Sequence, residues 1–384
     1  MATRGDVPNA HLGGSKDRFW IPRFWDGMSF SAWLQLLVRN RFAVSLHCLP
    51  MVCTITLLAV FNSLLACLQR LRFGRKIAAT EIREEPIFII GHWRAGTTLL
   101  HELLVLDPRH TFPDTCACFA PNHFLVSSWF IKRCLNFLLP ERRPMDNMAT
   151  GWDRPQEDEF ALCNMGVPSP YLTLAFPNHP PHDPEYLDLT EVPPEELSRW
   201  KAAMRQFLQS VTVANPKRIV LKSPPHTARL RVLLEMFPKA RFIHIVRDPF
   251  VVFPSTVNLW KRLYRDQGLH TPRCEGLEEY VLKTFRRMYA AFDAQRDVVP
   301  PGHLCEIRYE DLVADPLGQM ERVYDELGLG GFETVRPALE AHLAGQAGYR
   351  TNRYPLDDAL RARIAKEWAP FMERYGYAPQ CATD

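Results

Sequence analysis

Eight consecutive residues, Gly91-His92-Trp93-Arg94-Ala95-Gly96-Thr97-Thr98, carry the groups needed to grip an anion. They follow a short apolar run, Pro86–Ile90, and open an apolar helical pattern from Thr98 to Leu106. Glycines let the main chain wrap a phosphate-like group, and N–H groups at a helix start point towards it. Arg94 adds a cation, while Thr97 and Thr98 add hydroxyl donors. The spacing G-x-x-x-x-G-T-T copies a nucleotide phosphate loop, with Thr97 where that loop carries lysine.

A second cluster follows the apolar run Arg241–Val246. In Val246-Arg-Asp-Pro-Phe-Val-Val-Phe-Pro-Ser255, Arg247 and Ser255 are eight residues apart. An arginine at a strand end and a hydroxyl on the next element can converge on one phosphate. Lys222 ends another strand-like run and is followed by Ser223-Pro224-Pro225-His226. Acids stand together at Glu157, Asp158 and Glu159, and singly at Asp114. Downstream lie Tyr309-Glu310-Asp311-Leu312 and the basic stretch Gly348-Tyr349-Arg350-Thr351-Asn352-Arg353.

With both phosphate motifs present and in order, the sequence resembles the sulfotransferases that use 3′-phosphoadenosine-5′-phosphosulfate (PAPS). Their 5′-phosphosulfate loop reads as a basic residue, a small residue, Gly, Thr and Thr or Ser, which Arg94 to Thr98 match. The arginine at that place is similar to membrane-bound and many bacterial members, where cytosolic members often have lysine. The resemblance implies that Gly91, Arg94, Ala95, Gly96, Thr97 and Thr98 hold the 5′-phosphosulfate. By the same likeness Arg247 and Ser255 grip the 3′-phosphate, Tyr309 packs near the adenine, and Lys222 stands close to the transferring group. Arg350 and Arg353 would reach the nucleotide, as basic residues near the family's C-terminus do. The resemblance covers roughly residues 85 to 375.

Sulfuryl transfer needs in-line attack by a hydroxyl on sulfur, so catalysis is chiefly positioning and charge stabilisation. The products are a sulfated acceptor and 3′,5′-adenosine bisphosphate, and the scheme calls for no metal. The acceptor must also lose a proton. Cytosolic family members place a histidine two residues after the lysine, where this chain has Pro224. His226 and Glu157 rank level as the base, ahead of Glu159 and then Asp114. Two rival readings differ in class: a P-loop kinase or NTPase, and a non-catalytic membrane scaffold of the same fold. The missing loop lysine, and the absence of an aspartate suited to magnesium at a strand end, argue against the first of these.

Strand-like runs at Pro86–Ile90, Arg218–Leu221, Arg241–Val246 and Leu304–Ile307 must bring these motifs together. Helical patterns at Thr98–Leu106, Thr227–Phe237, Leu277–Asp297 and Pro316–Leu327 alternate with them. This order predicts an α/β fold, a P-loop-like parallel sheet flanked by helices. Prolines crowd between Pro140 and Pro194, and residues 112 to 195, rich in Pro, Phe and His, suit an irregular lid over an acceptor.

From Phe42 to Leu68 there is no Asp, Glu, Lys or Arg. That length reaches the roughly 20 apolar residues a membrane helix needs, with His47, Pro50 and Asn62 as interruptions. Residues 1–80 therefore read as a helical, membrane-associated segment, spanning or lying in one leaflet, and 81–384 as the catalytic domain. Arg70, Arg72, Arg75, Lys76 and Arg83 after the apolar run place the catalytic domain on the cytoplasmic side. An apolar anchor beside the site favours a lipid or other hydrophobic alcohol as acceptor. In 384 residues the net charge of +3 is too small to argue for nucleic acid. Ten scattered cysteines without metal spacing read as reduced thiols.

Overall fold

The computed structural model describes residues 22–139, 150–345 and 356–377. Five parallel strands form its sheet: β1 (Ile87–Ile90), β2 (His110–Thr111), β3 (Arg218–Lys222), β4 (Arg241–Val246) and β5 (Leu304–Arg308), in the order β2-β3-β1-β4-β5. Ile, Val and Phe dominate β1, β3 and β4 because helices cover both faces, leaving no wet side for alternating polar residues. β1 is fully buried between β3 and β4. Its register opposes Ile89 to Lys222 and Ile90 to His244, so the strands end along one edge. The chain leaves β1 for β2 on one side and reaches β4 on the other. This is the crevice where open α/β sheets bind ligands. β2 has two residues, too short to leave a pattern in the sequence.

The four strands expected from sequence are present within one residue at each end. The expected helix Thr227–Phe237 is instead a 3-10 turn, Pro224–Ala228, followed by a helix Leu230–Met236. Between residues 150 and 193 the chain is largely irregular, with one helix, Asp158–Asn164, and two 3-10 turns.

A 30-residue helix, Leu49–Ala78, contains most of the apolar segment. Pro50 neither bends nor breaks it. It occupies the first turn, where the missing N–H has no carbonyl to serve. Nor does Asn62 interrupt the helix: its side-chain amide donates to the main-chain oxygens of Asp26, at 2.6 Å, and Met28, at 3.1 Å. The helix ends at Ala78, and the core continues across this point of the chain. Trp25, Met28, Trp33, Leu36, Ile55 and Ala59 belong to the same hydrophobic cluster as Phe88, Phe160 and Phe242.

Candidate active site

The turn after β1 owes its shape to two glycines. Gly91 has φ +146°, and a side chain there would collide with the Ile245 carbonyl of β4. Its N–H donates to Thr227 Oγ1 at 2.7 Å, tying the turn to the segment after β3. Gly96, at φ +107°, is the N-cap of the helix Thr97–Leu104 and supplies no side-chain cap. That helix start therefore presents its first N–H groups as an anion cradle. Arg94 also lies in the left-handed region, at φ +69°.

Arg247 leaves the end of β4, and Ser255 lies about two turns into the helix Pro249–Gln267. Asp248 caps that helix by accepting from Phe250 N at 2.8 Å. The two motifs meet at Arg94: its Nε donates to Ser255 Oγ at 2.9 Å, and Arg247 Nη1 donates to the Arg94 carbonyl at 3.0 Å. The Arg247 guanidinium also lies 4.0 Å from the centroid of the Tyr309 ring, and the same ring closes against Gly96. Glu310 accepts from Asp248 N at 3.0 Å and from the Tyr377 hydroxyl at 2.7 Å, so it buttresses the turn that carries Arg247.

Lys222 and Glu157 form the second half of the crevice. Lys222 Nζ donates to Glu157 Oε1 at 2.7 Å, the lysine side chain being 2% exposed and the glutamate 16%. Glu157 Oε2 accepts from the Tyr171 hydroxyl at 2.5 Å, and that hydroxyl accepts from Trp93 Nε1 at 2.8 Å. A continuous hydrogen-bonded line thus runs from Lys222 through Glu157 and Tyr171 to the residue before Arg94. Burial and the neighbouring Glu157 carboxylate push the Tyr171 hydroxyl far above its ordinary range, so it stays a donor.

The three adjacent acids go to different places: Glu157 is the extended N-cap of the helix Asp158–Asn164, and Asp158 and Glu159, as successive helical residues, diverge by about 100°. Asp158 is fully buried; His226 Nε2 lies 2.6 Å from one of its oxygens, and Ser223 Oγ donates to the other at 2.9 Å. Burial raises the Asp158 carboxyl, but the adjacent imidazole outweighs it and holds the group below its usual range. Glu159 is fully buried too, receiving two bonds from Arg229, at 2.6 and 3.1 Å, and one from Ser169 Oγ. Asp114 caps the helix Thr115–Phe119 with one oxygen and pairs with Lys132 through the other. Of the four acids, Glu157 alone reaches Lys222. His226 is 0% exposed and packs edge-on against Phe88 of β1. Residues 348 to 353 lie outside the described residues. An open cavity of about 530 Å3, lined by Ser45, Asn178, His179, His270, Thr271, Pro272 and Arg273, shares no residue with this crevice.

The sulfotransferase family model matches residues 86–333, from β1 past β5 to the start of the helix Phe332–Gly345. The chain is also 49% identical, over 94% of its length and 93% of theirs, to the omega-hydroxy-beta-dihydromenaquinone-9 sulfotransferases Stf3 of Mycobacterium bovis and Mycobacterium tuberculosis. The chain belongs to the sulfotransferase family. Its fold is shared with sulfotransferase STF9 from Mycobacterium avium, at TM-score 0.60, 18% identity and 82% coverage of each chain. Sulfotransferase STF1 from Mycobacterium tuberculosis gives TM-score 0.57 at 18% identity, covering 93% of this chain and 99% of that one. The enzyme's sequence motifs thus stand on an architecture used for sulfuryl transfer.

Sequence reasoning about this sulfotransferase passed over Trp93, Tyr171 and Asp158. Trp93 was visible inside the phosphate loop, and its indole N–H was a signal for a buried polar partner. Tyr171 left none, because its place follows from how an irregular segment packs.

Proposed function

We propose that this sulfotransferase takes its sulfuryl group from PAPS and delivers it to the terminal hydroxyl of a membrane lipid of the isoprenoid quinone type. In this reading the loop Gly91–Thr98 and the start of its helix hold the 5′-phosphosulfate. Arg94 stabilises the bridging oxygen as the bond to sulfur breaks. Arg247 and Ser255 bind the 3′-phosphate, which separates PAPS from ordinary nucleotides, and Tyr309 flanks the adenine. Lys222 neutralises charge on the transferring group. Glu157 takes the proton of the acceptor hydroxyl as its oxygen bonds to sulfur, and 3′,5′-adenosine bisphosphate departs. Asp158 and His226 position rather than react: together with Ser223 they lock the segment after β3 to the helix that begins behind Glu157.

The observation that carries this reading is the pair Lys222–Glu157, joined at 2.7 Å and linked through Tyr171 to the loop holding Arg94. A cation for the transferring group and a base for the acceptor thereby stand side by side next to an anion cradle. The lipid acceptor is supported by the 49% identical relatives that bear a dihydromenaquinone in their name, and by the apolar helix of this chain. We assign residues 1–80 to membrane attachment and 81–384 to catalysis, with the catalytic part on the cytoplasmic side, where cations flanking the helix meet anionic lipid.

The test is turnover of labelled PAPS with an ω-hydroxylated isoprenoid quinone, a plain long-chain alcohol and a phenol, with products identified by mass. Transfer at least tenfold faster to the isoprenoid supports the proposal. Equal rates on all three would remove the acceptor assignment. Transfer of phosphate from ATP in place of sulfate would remove the donor assignment.

A further inference from the structure

The helix Leu49–Ala78 is long and apolar enough to cross a membrane. We infer that it does not cross but lies in the plane of one leaflet, as the centre of a docking face for an anionic lipid bilayer built from three helices. One stripe of the helix is fixed to the protein along its whole length, with Ile55, Ala59, Asn62, Gln69 and Ile77 buried. Asn62 holds the main chain at Asp26 and Met28 and pairs with His123; Gln69 accepts from Leu125 N at 2.8 Å. The helix Pro194–Ala214 packs against the same helix and carries Glu195, Glu196, Arg199, Lys201 and Arg205. A helix is about 10–12 Å across, so a transmembrane Leu49–Ala78 would drag these charges into hydrocarbon.

The opposite stripe fits a leaflet. Leu57, Phe61, Leu64, Leu68 and Leu71 are 51–81% exposed, and they recur every three or four residues along one side of the helix. Two neighbours that pack on this helix add exposed apolar groups: Val38 from Phe30–Arg39, and Trp129 and Phe130 from Phe124–Cys134. Charge identifies the partner. Between Asp26 and Glu81 there is no acid, yet Arg39, Arg41, Arg70, Arg72, Arg75 and Lys76 are present. Residues 115–139 likewise contain no acid but include Lys132 and Arg133. Arg39 and Lys132 are paired with Asp183 and Asp114, but the exposed Arg41, Arg70, Arg72, Arg75 and Lys76 leave an excess of cations around the apolar side chains. That excess suits an anionic bilayer, whereas a second copy of the same face would oppose like charges.

This inference shares the lipid setting of the proposed function, but its test requires no turnover, so the two fail separately. In full-length protein whose Cys53, Cys67, Cys134, Cys274 and Cys381 are replaced by serine, leaving only buried cysteines, the double variant His47→Cys/Gly74→Cys is reconstituted into sealed phosphatidylcholine–phosphatidylglycerol vesicles. It is then treated with a membrane-impermeant maleimide and weighed. An in-plane helix gives molecules labelled twice or not at all; predominantly single labelling overturns the inference in favour of a span. Flotation without detergent is the second readout. Wild-type protein should float with anionic vesicles and stay bound in high salt. Leu64→Ser/Leu68→Ser should lower the partition coefficient by roughly a hundredfold, about ten for each leucine withdrawn. Trp129→Ser, on a different helix, should lower it too. A wild-type protein that ignores vesicles, or a detergent-free dimer released by Trp129→Ser, overturns the membrane face. All three substitutions are at exposed positions, and unchanged thermal unfolding verifies that the fold is intact.

Discussion

Arg247 donates to the main-chain oxygen of Arg94, 3.0 Å away, so the second phosphate motif is bonded to the backbone of the first. The same guanidinium lies on the Tyr309 ring. Removing it takes away a charge that a 3′-phosphate would meet and a brace of the 5′ loop. Arg247→Ala should therefore erase most of the preference for 3′,5′-adenosine bisphosphate over AMP, a loss of about 1.5–3 kcal/mol. Calorimetry with both nucleotides measures it. Equal wild-type affinity for the two would remove Arg247 and Ser255 from the 3′-phosphate site.

Glu157 and His226 make opposite predictions. Glu157→Gln keeps the shape of the side chain but loses the proton acceptor, so turnover should fall by roughly 10²–10⁴-fold with nucleotide affinity nearly intact. His226→Ala instead strands Asp158 as a buried unpaired carboxylate, a loss of about 3–5 kcal/mol of stability. Unfolding midpoints and single-turnover rates on both variants separate the roles. Normal turnover in Glu157→Gln, with a stable but inactive His226→Ala, would reverse the assignment.

These contrasts mark how far the sequence could be read. The strands β1, β3 and β4 were legible because buried parallel strands are runs dominated by β-branched and aromatic residues between turn signals, whereas the edge strand β5 alternates buried Cys305 and Ile307 with half-buried neighbours. The turn after β1 was legible because its signal is local: Gly91, Arg94, Gly96 and Thr97 fall within seven residues. Glu157, Asp158 and Glu159 looked equivalent as a run of acids. Only tertiary packing tells them apart, sending Glu157 to Lys222, Asp158 to His226 and Glu159 to Arg229. Pro50 and Asn62 looked like helix breakers, since position in the first turn and a carbonyl partner 36 residues away are invisible in a window of sequence.

Two buried histidines predict the pH dependence of folding. Burial holds His92 at about 3, and burial with the nearby Lys222 charge holds His101 at about 3, both from an ordinary 6.5. A histidine with a depressed folded value binds its proton only when unfolded, so its contribution is intact above pH 6.5 and shrinks as pH falls towards 3. Each should withdraw about 2 kcal/mol between pH 7.5 and 5. Urea unfolding at pH 7.5, 6 and 5 should show falling stability, and His101→Leu should flatten the slope. An unchanged slope in that variant would mean His101 takes up its proton in the folded state.

Gly96 fits tightly against Tyr309, and the fit predicts a measurable coupling. Gly96 combines φ +107° with a space in which an added Cβ would collide with the Tyr309 ring. That ring has little room to retreat, since the Arg247 guanidinium lies 4.0 Å from its centroid. Gly96→Ala should therefore carry two separable costs. The left-handed backbone contributes about 1–3 kcal/mol whatever stands nearby. The overlap with the ring contributes about 1–3 kcal/mol more while the ring is present. Deleting the ring by Tyr309→Ala removes only the second cost. A double-mutant cycle on urea unfolding should then give a coupling of at least about 1 kcal/mol between the two positions, well above the few tenths expected of independent sites. Affinity for 3′,5′-adenosine bisphosphate should follow the same pattern, because in the proposed site the helix that Gly96 begins would hold its 5′-phosphate. Additive losses would mean that Tyr309 does not close against Gly96 in solution, and its place beside the adenine would go with it.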